Sequence, residues 1–283
     1  MPKIDARTFC VIGHPIGHTL SPTIHQTVYT ALSVDYDYIA EHVLPEDLEE
    51  FTRRVRATGC PGFNATIPHK ETVIPLLDAV DASAERIGAV NTVKNEGGKL
   101  TGYNTDVPGL MEALKRGGWT PRGHGVLLGA GGAARAAIEA MGLMGVKELI
   151  LFDIVPERME KLTQDFKDQH PMRIIGTRSE NELSDHLSRA DLIINATPVG
   201  MWPNTDRSPV SHPEQIPSGA TVFDMVYKPV KTKLMAQAEQ QGAVTISGLG
   251  MLVAQALAAD EIWLNRKLPE AIFDQVIEKL LTR

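Results

Sequence analysis

A glycine-rich loop between an apolar run and an alanine-rich helical pattern has the composition of a phosphate-binding turn. In the order G-x-G-x-x-A, the first glycine permits a tight turn and the second lets the backbone approach a pyrophosphate. The N-terminus of the following helix offers free N–H groups and partial positive charge to the phosphates. A tight turn without a ligand is the alternative, but the strand-loop-helix context favours a dinucleotide site. The candidate cofactor-binding residues are Gly129, Ala130, Gly131, Gly132 and Ala133, with Ala134 as the small residue that packs helix on strand.

An acidic residue ends the next apolar run, 24 residues after Gly129. In this position the carboxylate of Asp153 can accept hydrogen bonds from the adenosine ribose hydroxyls, and it repels a 2′-phosphate. Arg158 follows about one helical turn later and could reduce that repulsion, although a solvated surface charge is its simpler role. We therefore expect NAD as the preferred cofactor and NADP as the alternative.

Two hydroxyl side chains, Thr19 and Ser21, lie in a segment rich in turn residues. Because they are two residues apart, both hydroxyls face the same side if the segment is extended. Neutral donors of this kind can hold a carboxylate without a buried counter-charge. The alternative is a surface hydroxyl for Thr19 and a helix N-cap for Ser21, with Pro22 at the first helical position.

Further motifs follow in an order that resembles the shikimate dehydrogenase family, and the resemblance covers nearly the whole chain. After the hydroxyl-x-hydroxyl segment, the family has an N-x-T-x-P-x-K segment, a G-A-x-N-T turn and an N-T-D segment. The phosphate loop and three later marks complete the pattern. The matching segments here are 64–70, 88–92, 104–106, 195–201, 224–229 and 248–252, with Gln255 after the last.

Members of this family reduce 3-dehydroshikimate to shikimate reversibly with a nicotinamide nucleotide, in the shikimate pathway to chorismate and the aromatic amino acids. Some members also take quinate. The resemblance implies that Lys70 and Asp106 are the catalytic pair, and that Thr19 and Ser21 bind the substrate carboxylate. The other substrate contacts that it implies are Thr66, Asn91, Asp106, Tyr227 and Gln255. The further cofactor contacts that it implies are Thr197, Met201, Gly248 and Met251, with core packing as an alternative role for the two methionines.

The residue types fit this chemistry. Hydride transfer to a ketone leaves an alkoxide that needs a proton, and Lys70 can donate that proton or accept it in the reverse direction. Asp106 can hold the substrate hydroxyl and orient Lys70. Since a carboxylate beside an ammonium favours the charged lysine, we expect Lys70 to act mainly as an acid in the reductive direction. A surface lysine and a helix N-cap aspartate are the simpler alternatives.

Two departures from the family pattern leave the substrate and the cofactor open. Thr19 stands where the family usually has serine, and Asp153-Ile154 stands where NADP-using members usually have an Asn-Arg pair. One alternative is therefore a quinate or quinate/shikimate dehydrogenase. A more remote alternative is a non-catalytic nucleotide-sensing protein on the same fold, which would be expected to lack Lys70 or Asp106.

Short apolar runs alternate with helical patterns along most of the chain, which is typical of the α/β class. We expect a substrate-binding and catalytic domain over 1–105 and a Rossmann-like NAD(P)-binding domain over 106–249, with the active site in the cleft between them. The helices of residues 250–283 are expected to pack back on the first domain. The predicted strands cover 8–12, 37–43, 62–66, 89–94, 99–103, 125–128, 148–152, 172–175, 191–195, 221–225 and 243–246.

Composition excludes several classes. The 283 residues carry a net charge of −7 with 43% hydrophobic and 22% charged residues, as in a globular protein. There is no apolar run of about 18 residues and no Lys/Arg cluster, so we expect neither a membrane nor a nucleic-acid partner. The first ten residues lack a basic segment followed by an apolar one, so we expect no secretory signal. Cys10 and Cys60 are expected to be core residues in a reducing compartment. The expectation is a cytoplasmic monomer or homodimer that acts on a small molecule.

Three histidines near the N-terminus, His14, His18 and His25, invite a metal-site interpretation. The intervening Pro15, Gly17 and Pro22 prevent one continuous helix from placing them on a common face. We therefore expect loop and cap histidines and no metal site.

Overall fold

The computed structural model describes residues 4–17 and 19–282, so His18 lies outside the described part of the chain. The chain divides into two compact units. The first contains the chain up to Asp106 together with the chain from Val253 onward, and the second is Val107–Leu252.

The first unit contains a mixed sheet whose strands are β1 (Thr8–Gly13), β2 (Asp37–His42), β3 (Gly62–Ala65), β4 (Ala79–Val80), β5 (Thr92–Glu96) and β6 (Lys99–Tyr103). Its strand order is β2-β1-β3-β5-β6-β4. Strand β1 pairs in parallel with β2 and β3, whereas β5 is antiparallel to both β3 and β6. The connecting helices are α1 (Ser21–Leu32), α2 (Leu48–Thr58), α3 (His69–Thr72) and α4 (Ala82–Ile87).

The hairpin of β5 and β6 turns over two residues, Gly97 and Gly98, since Glu96 pairs with Lys99. Gly97 and Gly98 have φ of 62° and 90°, a region that favours glycine. Two positive φ angles are typical of a type I′ turn, whose twist matches that of the strands. This turn fixes the register of β5 and β6, in which Thr92 lies opposite Tyr103.

The core of the first unit lies under this sheet, where Phe51 meets Phe63 edge to face at 5.0 Å. Cys10 and Cys60 are buried, unoxidised members of the same core, as predicted. The C-terminal helix α11 (Ala271–Leu281) packs on α1.

The second unit contains a parallel six-stranded sheet. Its strands are β7 (His124–Leu128), β8 (Glu148–Phe152), β9 (Arg173–Thr177), β10 (Leu192–Asn195), β11 (Thr221–Asp224) and β12 (Val244–Ser247). Their order is β9-β8-β7-β10-β11-β12, which in local numbering is the 3-2-1-4-5-6 order of the doubly wound dinucleotide-binding fold. The order reverses between β7 and β10, and ligands of such sheets bind at the carboxyl ends of the strands there. The two sheets confirm the predicted α/β class.

The remaining helices are α5 (Asp106–Arg116), α6 (Gly132–Leu143), α7 (Pro156–Phe166), α8 (Glu180–Leu187), α9 (Lys233–Gln240) and α10 (Gly248–Leu264). The sequence did not predict α4, α8 or α9, nor the two-residue strand β4. No helix among the described residues has the length and apolar character needed to cross a membrane.

The expected N-cap role of Ser21 is wrong. Leu20 is the N-cap of α1, and its own side chain makes no capping hydrogen bond. Ser21 is already the first helical residue, which leaves its hydroxyl free to bond with Thr19 instead.

Candidate active site

Lys70 and Asp106 lie side by side in the first unit. The Lys70 Nζ donates to the Asp106 Oδ2 at 2.5 Å, and the two side chains are 18% and 10% exposed. Lys70 lies on the short helix α3, which the buried His69 anchors through a hydrogen bond from its Nε2 to the Val43 carbonyl oxygen at 2.8 Å. A charged pair in such a shielded position interacts more strongly than a surface ion pair.

Asp106 is the first residue of α5. Its own N–H donates to the Oδ1 of Asn104 at 3.0 Å, so the asparagine side chain supplies the hydrogen bond at this helix start. The Asp106 carboxylate is thereby left for Lys70 and for a third group, the side-chain amide of Asn91, whose Nδ2 donates to the Asp106 Oδ1 at 3.0 Å.

Asn91 connects three of the residues that the sequence singled out. Its Nδ2 also lies 3.4 Å from the Oε1 of Gln255, which α10 contributes to the same unit. Asn91 is held next to α3 because the preceding Val90 N–H donates to the Lys70 carbonyl oxygen at 2.8 Å. Lys70, Asn91, Asp106 and Gln255 therefore form one polar cluster, which combines an acid, a base and amide groups that can hold hydroxyls.

The Thr19 and Ser21 hydroxyls form a separate pair. The Thr19 Oγ1 donates to the Ser21 Oγ at 3.0 Å and accepts from the Ser21 N–H at 3.2 Å. Thr66 lies between the ends of β1 and β3, since its N–H donates to the Ile12 carbonyl oxygen at 3.0 Å. Its methyl group lies only 2.6 Å from where a Cβ on Gly13 would be, so this end of β1 tolerates no side chain.

Three polar residues beside the cluster were not among the site residues that the sequence predicted. Asn64, Thr92 and Thr105 are buried and bond to Asn91, either directly or through one another. Each lies inside one of the family motifs described above, at 64–70, 88–92 or 104–106, and membership of the motif was the sequence signal that could have identified it. Their roles depend on the pairing of β3 with β5, which no local pattern states.

The glycine-rich loop of the second unit leaves room for a ligand. Gly129 has φ of +98°, and its N–H donates to the Phe152 carbonyl oxygen at 2.7 Å, which fixes the tight turn after β7. A Cβ on Gly131 or Gly132 would meet no atom within 4 Å, so the space beside these two glycines is open. Ala134 is fully buried, as close packing of α6 on the sheet requires. This loop fits a pyrophosphate, which would lie against N–H groups at the start of α6.

Asp153 closes one side of this loop. Its Oδ2 accepts from the Ala130 N–H at 2.6 Å and its Oδ1 from the Val155 N–H at 2.8 Å. The neighbouring Ile154 side chain is 88% exposed. Arg158 lies on the exposed side of α7, and among the described residues no ion pair holds it. The side chain next to the glycine-rich loop is therefore the carboxylate of Asp153, and the exposed side chain that follows it, Ile154, is apolar.

The other predicted residues of the second unit follow β10 and β11. The Thr197 Oγ1 donates to the Asn195 Oδ1 at 2.7 Å and accepts from the Val199 N–H at 3.1 Å, which shapes the turn before Met201. Met201 is 45% exposed. Burial raises the pKa of the Tyr227 phenol, so Tyr227 is neutral near pH 7.

Gly248 and Met251 both lie at the start of α10. A Cβ on Gly248 would lie 2.4 Å from the Met225 carbonyl oxygen, so only glycine fits. Met251 is buried.

The N-terminal histidines have separate surroundings. His14 Nδ1 lies 2.5 Å from His42 Nε2, whereas His25 is buried and its Nδ1 lies 2.9 Å from Asp260 Oδ1. The described residues contain no group of three or more His, Cys, Asp or Glu placed to hold a metal ion.

Comparison with known proteins gives matches over nearly the whole chain. The family model of the shikimate dehydrogenase substrate-binding domain matches residues 11–93. The shikimate dehydrogenase (NADP(+)) of Methanopyrus kandleri is 42% identical over 285 residues, which cover 98% of this chain and 98% of that protein.

Solved structures show the same similarity. Shikimate 5-dehydrogenase from Listeria monocytogenes, in complex with shikimate and NAD, superposes with a TM-score of 0.89 at 34% identity and covers 99% of both chains. The enzyme from Thermus thermophilus, in complex with NADP(H) and shikimate, gives a TM-score of 0.86 at 33% identity, with 96% of this chain and 98% of that chain covered. The resemblance seen in the sequence motifs is confirmed.

Proposed function

The chain belongs to the shikimate dehydrogenase family, and from this membership we propose that it reduces 3-dehydroshikimate reversibly to shikimate with a nicotinamide nucleotide. The observation that carries the proposal is the 2.5 Å contact between Lys70 Nζ and Asp106 Oδ2, inside a cluster with Asn91 and Gln255. The first unit would bind the substrate and the second the cofactor.

The chemistry divides between cofactor and protein. A reduced nicotinamide supplies the hydride that the ketone carbon accepts. The oxygen of that ketone then needs a proton, which the Lys70 ammonium is placed to give. The Asp106 carboxylate holds the Lys70 side chain in position, and each of its oxygens retains a lone pair that can accept from a substrate hydroxyl. In the oxidative direction the neutral Lys70 amine takes the same proton back.

Asn91 and Gln255 would fix the ring hydroxyls of the substrate. Both side chains carry a donor and an acceptor, so each can recognise a hydroxyl in either role. Thr66 and Tyr227 are proposed to add hydroxyl contacts. The Thr19 and Ser21 hydroxyls are proposed to turn toward the substrate carboxylate, in exchange for their present bond to each other.

We propose NAD as the preferred cofactor. The anionic Asp153 lies against the phosphate loop, where it can accept from ribose hydroxyls and would repel a 2′-phosphate. Ile154 offers no positive charge at the position next to it. The relatives differ on this point, since the Methanopyrus protein is named for NADP(+), the Listeria structure contains NAD and the Thermus structure contains NADP(H).

Steady-state kinetics test both parts of the proposal. Shikimate and quinate are each assayed with NAD and with NADP, and kcat/KM is compared across the four combinations. We expect the highest value for shikimate with NAD. A quinate value well above that for shikimate would make this a quinate dehydrogenase, and nucleotide binding without turnover of either acid would favour a sensing protein.

A further inference from the structure

A row of buried hydrogen bonds leads from β2 to the Lys70–Asp106 pair. The Tyr38 hydroxyl donates to the Asn64 Oδ1 at 2.5 Å, and the Asn64 Nδ2 donates to the Thr92 Oγ1 at 3.0 Å. The Thr92 hydroxyl donates to the Asn91 Oδ1 at 3.0 Å, and the Asn91 Nδ2 donates to the Asp106 Oδ1 at 3.0 Å. All five side chains are buried. We call Tyr38, Asn64, Thr92, Asn91 and Asp106 the donor row.

The direction of the donor row is fixed by backbone groups that can act in one way only. The carbonyl oxygen of Asn91 can only accept, and it lies 3.0 Å from one side-chain atom of Asn64, which must therefore be the Nδ2. The N–H of Thr105 can only donate, and it points at the Asn91 side chain at 2.8 Å, which must present its Oδ1. Each amide therefore has one orientation, and the Tyr38 hydroxyl must donate to the Asn64 Oδ1. The Thr92 hydroxyl accepts from the Asn64 Nδ2 and donates to the Asn91 Oδ1, with the Thr105 Oγ1 at 3.2 Å as a second partner.

The Tyr38 phenol, at the end of the donor row farthest from Asp106, keeps its proton. Burial is the main cause that raises the pKa of the Tyr38 phenol, and Cys10 and Asp260 act in the same direction. On its other side the Tyr38 ring stacks on His25 at 3.9 Å with an interplanar angle of 11°. The titratable groups that face the row are thus Lys70 at one end and His25, Asp260 and Cys10 at the other.

We propose that Tyr38 and Thr92 are positioning residues for the Lys70–Asp106 pair. Successive donors polarise one another, so the row strengthens the hydrogen bond that Asn91 gives to the Asp106 Oδ1. With Oδ1 held in this way, the carboxylate cannot rotate, and Oδ2 stays aimed at the Lys70 Nζ. This inference rests on the proposed function, since it concerns the same catalytic pair.

Loss of either hydroxyl interrupts the row at a defined place. Tyr38→Phe leaves the buried Asn64 Oδ1 without its donor, so the Asn64 amide is less strongly polarised and gives a weaker hydrogen bond to Thr92. Thr92→Val keeps the shape of the side chain but separates Asn64 from the Asn91 Oδ1. In both variants the substrate-binding groups remain, so the rate should suffer more than the affinity.

The experiment compares these two variants with two matched controls, using the full-length enzyme. Tyr36→Phe removes a phenol that packs on Phe9 at 5.1 Å, outside the donor row, and Thr92→Ser restores the hydroxyl that Thr92→Val removes. We expect kcat for shikimate to fall about tenfold in Tyr38→Phe and Thr92→Val, with KM within about threefold. Tyr36→Phe should behave like wild type, and Thr92→Ser should recover the rate.

A second readout does not require turnover. The side-chain amide signals of Asn91, assigned by their loss in Asn91→Asp, are followed by NMR in the variants. The proposal predicts that Tyr38→Phe shifts them clearly more than Tyr36→Phe does. The proposal is overturned if Tyr38→Phe changes only the melting temperature, while its rate and its Asn91 signals match those of the Tyr36→Phe control. An inactive wild type would contradict the proposed function, whereas the NMR comparison would still decide on the row.

Discussion

A Cβ atom on Gly129 would lie 2.8 Å from the Cγ2 of Thr197. The two residues follow β7 and β10, the neighbouring strands between which the order of the second sheet reverses. Gly129 also has φ of +98°, where an L side chain is strained. Steric and backbone constraints thus both require glycine here, and the phosphate loop is pressed against the turn that carries Thr197.

Gly131 should differ from Gly129 in its response to alanine. A Cβ on Gly131 meets no atom within 4 Å and its φ is −85°, so Gly131→Ala should leave the free energy of unfolding nearly unchanged. It should weaken nucleotide binding by about tenfold or more, because the methyl group occupies the path of the pyrophosphate. Calorimetric titration and urea unfolding give the two quantities. Gly219→Ala, also in open space, is the control, and equal nucleotide affinity in both variants would argue against a pyrophosphate at this loop.

Exchange of the Asp153-Ile154 pair should change cofactor preference. In the double variant Asp153→Asn, Ile154→Arg, the repulsive carboxylate is gone and a guanidinium can pair with a 2′-phosphate. We expect the ratio of kcat/KM for NADP to that for NAD to rise by about tenfold or more. Val244→Arg adds the same charge at another exposed apolar position and should leave the ratio unchanged. An unaltered ratio in the double variant would show that these residues do not select the cofactor.

The buried Asp260 should give a measurable pH dependence of stability. Burial raises its pKa, against the opposing effect of His25, whereas the unfolded chain has a pKa of about 3.9. The folded state therefore holds the proton more tightly, and the contribution of Asp260 to stability is lost as pH rises from about 4 through the folded value. The free energy of unfolding of wild type relative to Asp260→Asn should fall as the pH rises above about 4. Asp168→Asn, at an exposed position, should show no such trend, and a difference that grows with pH would contradict the assignment.

The sequence predicted the features of the fold that depend on local residue patterns. The parallel strands of the second unit are continuous apolar runs, and the phosphate loop is defined by the steric needs of glycines such as Gly129. The short helix α8 was missed although Ser179 accepts from the Glu182 N–H, the usual signal of a capped helix start. Strand β4 has two residues and exists because it pairs with β6, which no local pattern can show.

Other features of the site depend on contacts between distant segments. The spacing of Thr19 and Ser21 placed two hydroxyls together, but it could not tell that Leu20 would be the helix N-cap. Asn64 and Thr92 become partners only because β3 and β5 pair in one antiparallel register. Polar side chains of this kind are visible as residue types in a sequence, whereas their hydrogen bonds are set by the fold.

Replacement of Lys70 tests the central claim most directly. Wild type and Lys70→Ala are incubated with 3-dehydroshikimate and reduced nucleotide, the product is identified by NMR, and shikimate affinity is measured by calorimetry. We predict that wild type forms shikimate, whereas the variant loses about a thousandfold or more in kcat and binds shikimate within a few-fold of wild type. Lys99→Ala, on the exposed edge of the hairpin, should be unaffected. A Lys70→Ala variant that retains wild-type turnover, or a wild type that forms no shikimate, would contradict the account.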